Sequence, residues 1–141
     1  MHADPQPDRL ERVARVRSSY SRCRVHEDFI PRFYRRLWQR EPDVGRRFAH
    51  TDMERQHQVM REAINSLLMY ARGSKIAELA LDRLARVHSR SDRDVPPHLH
   101  RAFVDALVEV VEEVDADADD ELLTSWRDVL APGLERIEAG Y

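Results

Sequence analysis

Cysteine is almost missing from this chain: Cys23 stands alone in 141 residues, which excludes an internal disulfide and a multi-cysteine zinc site and fits a reducing compartment. Glycine is also scarce, with four residues and no phosphate-cradling run, so nucleotide-loop chemistry has no sequence to rest on. Lysine is reduced to Lys75; every other basic residue is arginine. No run approaches the roughly 18 apolar residues of a membrane span, and the opening Met-His-Ala-Asp-Pro-Gln-Pro-Asp lacks the apolar centre of a signal peptide. The expectation is a soluble, cytoplasmic protein without a membrane partner. A basic stripe is missing as well: the net charge is −3 and the arginines alternate with acids, so nucleic acid is not the expected partner. No stretch alternates with period two between turn dipeptides, which leaves a β-sheet nowhere to form and makes the fold all-α.

What is present is helical periodicity along nearly the whole chain, and the length suits one domain, 1–141, with residues 1–8 a frayed start. Leu10, Val13, Val16 and Tyr20 predict a first helix to about residue 21, with Ser-Arg-Cys-Arg as a break. Asp28 is placed to cap a second helix whose apolar face is Phe29, Ile30, Phe33, Tyr34, Leu37 and Trp38, and Pro42 stops it. A short helical turn over 43–48 follows. Thr51, Asp52 and Glu54 carry a capping-box pattern ahead of a long helix to about Ala71, and Gly73-Ser74 closes it. Pro96-Pro97 opens the next helix, with Leu99, Phe103, Leu107, Val110 and Val114 on its inner side. Residues 115–120 read as a solvated turn, and a last helix carries Leu122, Leu123, Trp126, Val129, Leu130, Leu134 and Ile137, bent at Pro132. Glu109, Glu112, Glu113 and Asp115 to Asp120 read as a solvated face and turn, and no paired carboxylates suggest acid–base catalysis.

The chain is organised around Ile76–His88. Leu81, Leu84 and His88 fall on one helical face, and a histidine there either satisfies both ring nitrogens with neighbours in a core or binds a metal such as haem iron.

Set in order, Phe33-Tyr34, Pro42, Phe48, the run from Thr51 to Gln56, Leu84 to His88, Val95-Pro96-Pro97 and Trp126 resemble a bacterial single-domain globin, similar to the globin domain of flavohaemoglobins, from about Leu10 to Ile137. The resemblance implies a globin fold with helices packed around a haem b pocket. His88 resembles the proximal iron ligand, Phe48 the phenylalanine lying flat on the porphyrin, and Tyr34 a distal donor to bound gas. A plain core tyrosine remains the other reading of position 34. For the distal helix, Gln56 places apolar Met60 one turn on, whereas His57 would place Arg61 there, so Gln56 is the distal residue. Thirty-two residues separate it from His88, the interval of the flavohaemoglobin-like branch. Met60, Leu84, Val95 and Phe103 are the expected apolar walls. His50 and His57 flank the entrance, and either is a possible sixth iron ligand.

The function implied is binding of dioxygen, with NO and CO as further diatomic gases, for oxygen storage or transport. Nitric oxide dioxygenation is the possible enzymatic extension, and it calls for a separate reductase because no reductase module follows. A haem-based gas or redox sensor acting through a partner protein is the alternative, and a haem-free helical module with no Soret band is the third reading. A buried donor strengthens dioxygen binding by ~1.5–3 kcal/mol when the ligand gains charge. The sequence departs from its relatives at His100, which stands where they carry a tyrosine; the glutamate partner is expected near residue 141, with Glu138 one turn short. A homodimer is compatible with everything above.

Overall fold

The computed structural model describes residues 6–87, 96 and 98–140. Among them seven helices occur and no strand: α1 (Gln6–Arg24), α2 (Phe29–Arg40), α3 (Pro42–Arg47), α4 (Met53–Arg72), α5 (Lys75–Val87), α6 (His98–Val114) and α7 (Asp120–Ala139). The all-α expectation therefore holds. None of these helices is long and apolar enough to cross a membrane.

Several boundaries follow from residue chemistry. Asp52 caps α4 by accepting the Arg55 amide, and Gly73 ends it in the left-handed region at φ 105°, where an L side chain is strained. The capping box expected at Thr51 and Glu54 is replaced by this single Asp52 cap. Ser74 Oγ accepts the Ala77 amide at 3.1 Å and Asp119 accepts the Leu122 amide at 2.8 Å, so α5 and α7 each start on a side-chain cap. Pro42 occupies the first position of α3, where its missing N–H costs nothing. Pro132 lies inside α7, which continues through it.

Two local expectations are corrected. The predicted break at Ser-Arg-Cys-Arg is helix: α1 runs on to Arg24 because Cys23 is fully buried and keeps the stripe of Val13, Val16 and Tyr20 going for another turn. Asp28 does stand at the start of α2, but its carboxylate takes the Arg32 guanidinium at 2.7 Å instead of a backbone amide.

The core is built where α2 lies on α6, α4 on α5 and α7, and α1 on α7. Trp126, Phe29, Phe33, Tyr34, Leu81, Leu107 and Leu130 are its largest fully buried side chains. Along the outside of the α2–α6 contact runs a ladder of alternating charge, Asp28–Arg32–Glu113–Arg36–Glu109–Arg40–Asp105–Arg127. Each rung is partly exposed and contributes little alone, so the ladder chiefly orients the two helices. Glu109 and Glu113 are thus paired with arginine, not simply solvated.

Asp115 is the larger correction. It is 3% exposed, although it sits in a run that reads as a wet turn. Ser19 Oγ donates to Oδ2 at 2.6 Å, Arg22 donates to both carboxylate oxygens at 2.7 and 3.0 Å, and the Asp117 amide donates to Oδ1 at 3.0 Å. Trp126 Nε1 in turn donates to Ser19 Oγ at 3.0 Å, so one carboxylate ties α1 to both ends of the α6–α7 connection. Burial pushes the Asp115 carboxyl upward, but the bonds from Arg22, Ser19 and the Asp117 amide together with the Arg22 charge outweigh it and hold the group below its ordinary value.

Candidate functional site

α2 puts Tyr34 and Leu37 on its inner face because they lie three apart. α4 does the same with Gln56, Met60, Ala63 and Leu67, in steps of three and four. The two helices diverge around the α3 corner, which brings in Val44 and Phe48. Between them and α5, α6 and α7 lies a cavity of about 360 Å³, lined mostly by apolar side chains. This size and character match a small-molecule or cofactor site.

Six of the residues expected at the site meet here: Tyr34, Phe48, Gln56, Met60, Leu84 and Phe103 all line this one cavity. They come from four helices and a corner, up to 69 positions apart in the chain. His88 and Val95, the expected iron ligand and one expected wall, lie outside the described residues.

The polar chemistry at the α2–α4 wall is specific. Gln56 Nε2 donates to Tyr34 Oη at 2.9 Å. With its oxygen accepting from the amide, the phenol keeps its own O–H for an occupant of the cavity. Tyr34 is 1% exposed, and burial pushes its pKa up to about 12 against the opposing pull of the Gln56 bond. The hydroxyl is therefore a neutral donor across the physiological range. Phe48 packs edge-on to Tyr34 with ring centroids 5.7 Å apart, and Trp38 lies 5.8 Å from Tyr34 and 6.1 Å from Phe48, which fixes the phenol from behind. Gly45 makes room for this cluster: a Cβ there would come within 3.1 Å of the Trp38 ring.

The choice of Gln56 over His57 agrees with this geometry, since Gln56 and Met60 line the cavity together. His57 does not line it; its imidazole packs against the Tyr34 ring, centroids 5.4 Å apart. Burial and the Arg61 charge lower the His57 pKa, so the ring is neutral at pH 7. His50 is exposed and also lies outside the cavity lining.

His100 was expected where relatives carry a tyrosine, but not against Glu138. His100 lines the cavity from α6, and its Nδ1 lies 3.0 Å from Glu138 Oε1 on α7. The expectation that Glu138 falls a turn short is corrected: α6 and α7 pack so that residues 100 and 138 face each other directly. The available signal was the i, i+4 relation of Glu138 to Leu134, which lines the cavity.

Leu37, Leu67, Leu99, Leu134 and Ile137 complete the apolar wall, while Arg47 and Thr51, both exposed, stand at its edge. Leu67 is pressed in by α7: a Cβ on Gly133 would lie 2.5 Å from its Cδ2 and 3.2 Å from Leu81 Cδ1. Glycine at 133 lets α7 approach α4 and α5 closely enough to close the cavity floor.

No family model and no curated protein matches the chain. A solved structure does: the crystal structure of a protein from Pseudomonas aeruginosa PAO1, described as structurally highly homologous to a human hemoglobin, has a TM-score of 0.87 to it. The two share 38% sequence identity over 92% of this chain and 98% of that one. With seven helices among the described residues enclosing a side pocket and that identity sustained over almost the full length of both chains, the protein belongs to the globin family.

Proposed function

We propose that the cavity holds haem b and that the protein binds dioxygen and other diatomic gases there. The observation that carries the reading is the Tyr34–Gln56 couple: a buried neutral hydroxyl, oriented by an amide, at one wall of an otherwise apolar pocket. The residues present suit the cofactor. The aliphatic and aromatic lining excludes water, Phe48 offers a ring to a flat macrocycle, and exposed Arg47 and Thr51 at the edge suit its carboxylates. The sequence sets His88 one residue past α5, at i+4 from the lining residue Leu84, which makes it our choice for the iron ligand. When bound, the haem supplies an iron that takes the gas.

The chain's own contribution is electrostatic and steric. The Tyr34 hydroxyl donates to an occupant that gains negative charge, and this stabilises dioxygen over carbon monoxide by ~1.5–3 kcal/mol. Gln56 holds the phenol oxygen so that its proton is presented without prior rearrangement. The Tyr/Gln pair supports placement near the flavohaemoglobin-like branch, and with it oxygen storage or nitric oxide dioxygenation driven by an external reductase in the cytoplasm. The His100–Glu138 pair supplies an imidazole with its Nδ1 engaged, a form that also suits metal binding, so the two histidines must be told apart by experiment.

Purified protein reconstituted with haem is expected to show a Soret band. His88→Ala should abolish stoichiometric uptake while His100→Ala retains it. Equal uptake by His88→Ala and wild type would overturn the ligand assignment, and no band in the wild type would overturn the haem reading itself.

A further inference from the structure

The outward face of α5 runs against the rest of a chain whose net charge is −3. Its inner side is committed, with Ala77, Leu81 and Ala85 buried and Leu84 lining the cavity. On the opposite side Ile76 is 81% exposed and Leu79 69% exposed. Helical spacing places them among Lys75, Arg83 and Arg86, with Arg72 of the preceding helix end close by, and all four cations are exposed. The two acids of α5 do not dilute this face. Asp82 takes the Arg136 guanidinium at 2.7 and 3.2 Å, and Glu78 takes it at 3.1 Å, which turns both toward α7.

We propose that this face docks a soluble electron-carrier protein whose own surface presents carboxylates around an apolar centre, as a flavodoxin does. An apolar pair ringed by cations is complementary to that pattern: the charges steer the encounter and the apolar contact sets the residence. A second copy of this chain fits less well, because eight of its carboxylates are held by the α2–α6 ladder and by Arg22 and Arg136, and its own copy of this face repeats the same cations. A lipid surface fits less well too, because two apolar side chains on a 13-residue helix offer little to bury. The position also suits the task. The inner side of α5 lines the cavity, so a docked carrier sits about one helix diameter, roughly 10–12 Å, from its contents. With haem bound, the reduced carrier would give up one electron and ferric iron would become ferrous. The inference rests on the haem reading above.

The chain itself provides a sharp probe, because Lys75 is its only lysine. Carbodiimide coupling of the haem-loaded protein to flavodoxin should join Lys75 to a flavodoxin carboxylate, as read by peptide mass mapping. Lys75→Arg should lose that cross-link and keep the reduction rate. Ile76→Glu/Leu79→Glu should slow reduction by flavodoxin roughly ten-fold or more at low salt and leave reduction by dithionite and the absorption spectrum unchanged. Cross-linking through the N-terminal amine alone, or an unchanged flavodoxin rate in the double variant, would overturn the docking face. So would co-sedimentation with phosphatidylserine vesicles in place of flavodoxin binding. A missing Soret band would sink the haem reading instead, while the Lys75 cross-link would still report on the surface.

Discussion

The molecule has a solid end and a hollow end. At the solid end, where α1 meets the α6–α7 connection, Val13, Val16, Tyr20, Cys23 and Trp126 are all at most 4% exposed, and the polar atoms of Ser19, Asp115 and Trp126 are all partnered. At the hollow end, where α2 meets α4, the chain leaves a cavity of about 360 Å³. The indole nitrogen of Trp38, just behind it, is buried without a partner among the described residues. The difference teaches where stability and binding are carried. A closed hydrogen-bond network and dense packing hold the frame, and the opposite end shapes a lined cavity for an occupant.

The comparison breaks most readily at Asp115. Asp115→Ala leaves Arg22, Ser19 and the Asp117 amide without their common acceptor, and the expected loss is about 3–5 kcal/mol, a fall in Tm of about 10 °C or more. Gas binding by the folded fraction should be unchanged, because the network lies at the far end of the fold. The pH dependence has a definite sign. A carboxyl held below its ordinary value in the folded state contributes stability that is complete above its unfolded pKa, about 3.9, and is lost as pH falls through the lower folded value. Wild type should therefore lose stability steeply below about pH 4, and Asp115→Asn should flatten that limb. An equally steep limb in the variant would show that other acids control it.

Tyr34→Phe makes the converse cut. It removes the cavity donor and should raise the dioxygen off-rate about ten-fold or more, matching ~1.5–3 kcal/mol, while Tm moves by only a few degrees. Flash photolysis and thermal melts on one preparation separate the two effects. A large drop in Tm with no change in off-rate would make Tyr34 a frame residue and erase the distinction between the ends.

Gly133→Ala tests the floor that the two ends share. The added methyl meets the Leu67 side chain at 2.5 Å, and Leu67 lines the cavity, so it has space to move into. The cost to the empty protein should be about 1 kcal/mol, the low end for overpacking, but the displaced side chain then occupies binding space. Haem uptake should weaken more than stability does, as shown by comparing haem titration with chemical denaturation.

These contrasts also explain what could be read from residues alone. The helices were legible because apolar spacing, Asp and Ser caps, Gly73 and the prolines agree with one another. Six cavity residues were legible because the globin resemblance marked Tyr34, Phe48 and the distal helix, and helical spacing then decided within it: choosing Gln56 over His57 needed only the character of positions 60 and 61. Asp115 was not legible. It sits among Asp117, Asp119 and Asp120, and nothing local distinguishes the one that turns inward; its partners Ser19 and Arg22 lie more than 90 positions away. Glu138 was misplaced for a related reason, since its pairing with His100 depends on the relative register of α6 and α7, which periodicity within either helix does not set. The extension of α1 through Cys23 was hidden by a polar run whose single buried member holds the helix in place.

The smallest expected effect is a flat line. Burial pushes the Tyr34 pKa up to about 12, so the phenol stays protonated from about pH 7 to pH 10, and Gln56 does not titrate at all. His57, the imidazole nearest to them, has a lowered pKa and is already neutral at pH 7. It touches the Tyr34 ring and not the cavity, so even its protonation in acid acts only through the orientation of the phenol. The dioxygen off-rate should accordingly stay constant within about two-fold from pH 7 to pH 10 and shift only below the ordinary histidine range. A sigmoidal rise centred between about pH 8 and pH 10 would mean that the hydroxyl ionises far more easily than its burial allows, and that water reaches the wall built by Tyr34 and Gln56. The buried hydroxyl would then be wet, and the α2–α4 wall would not keep the donor neutral.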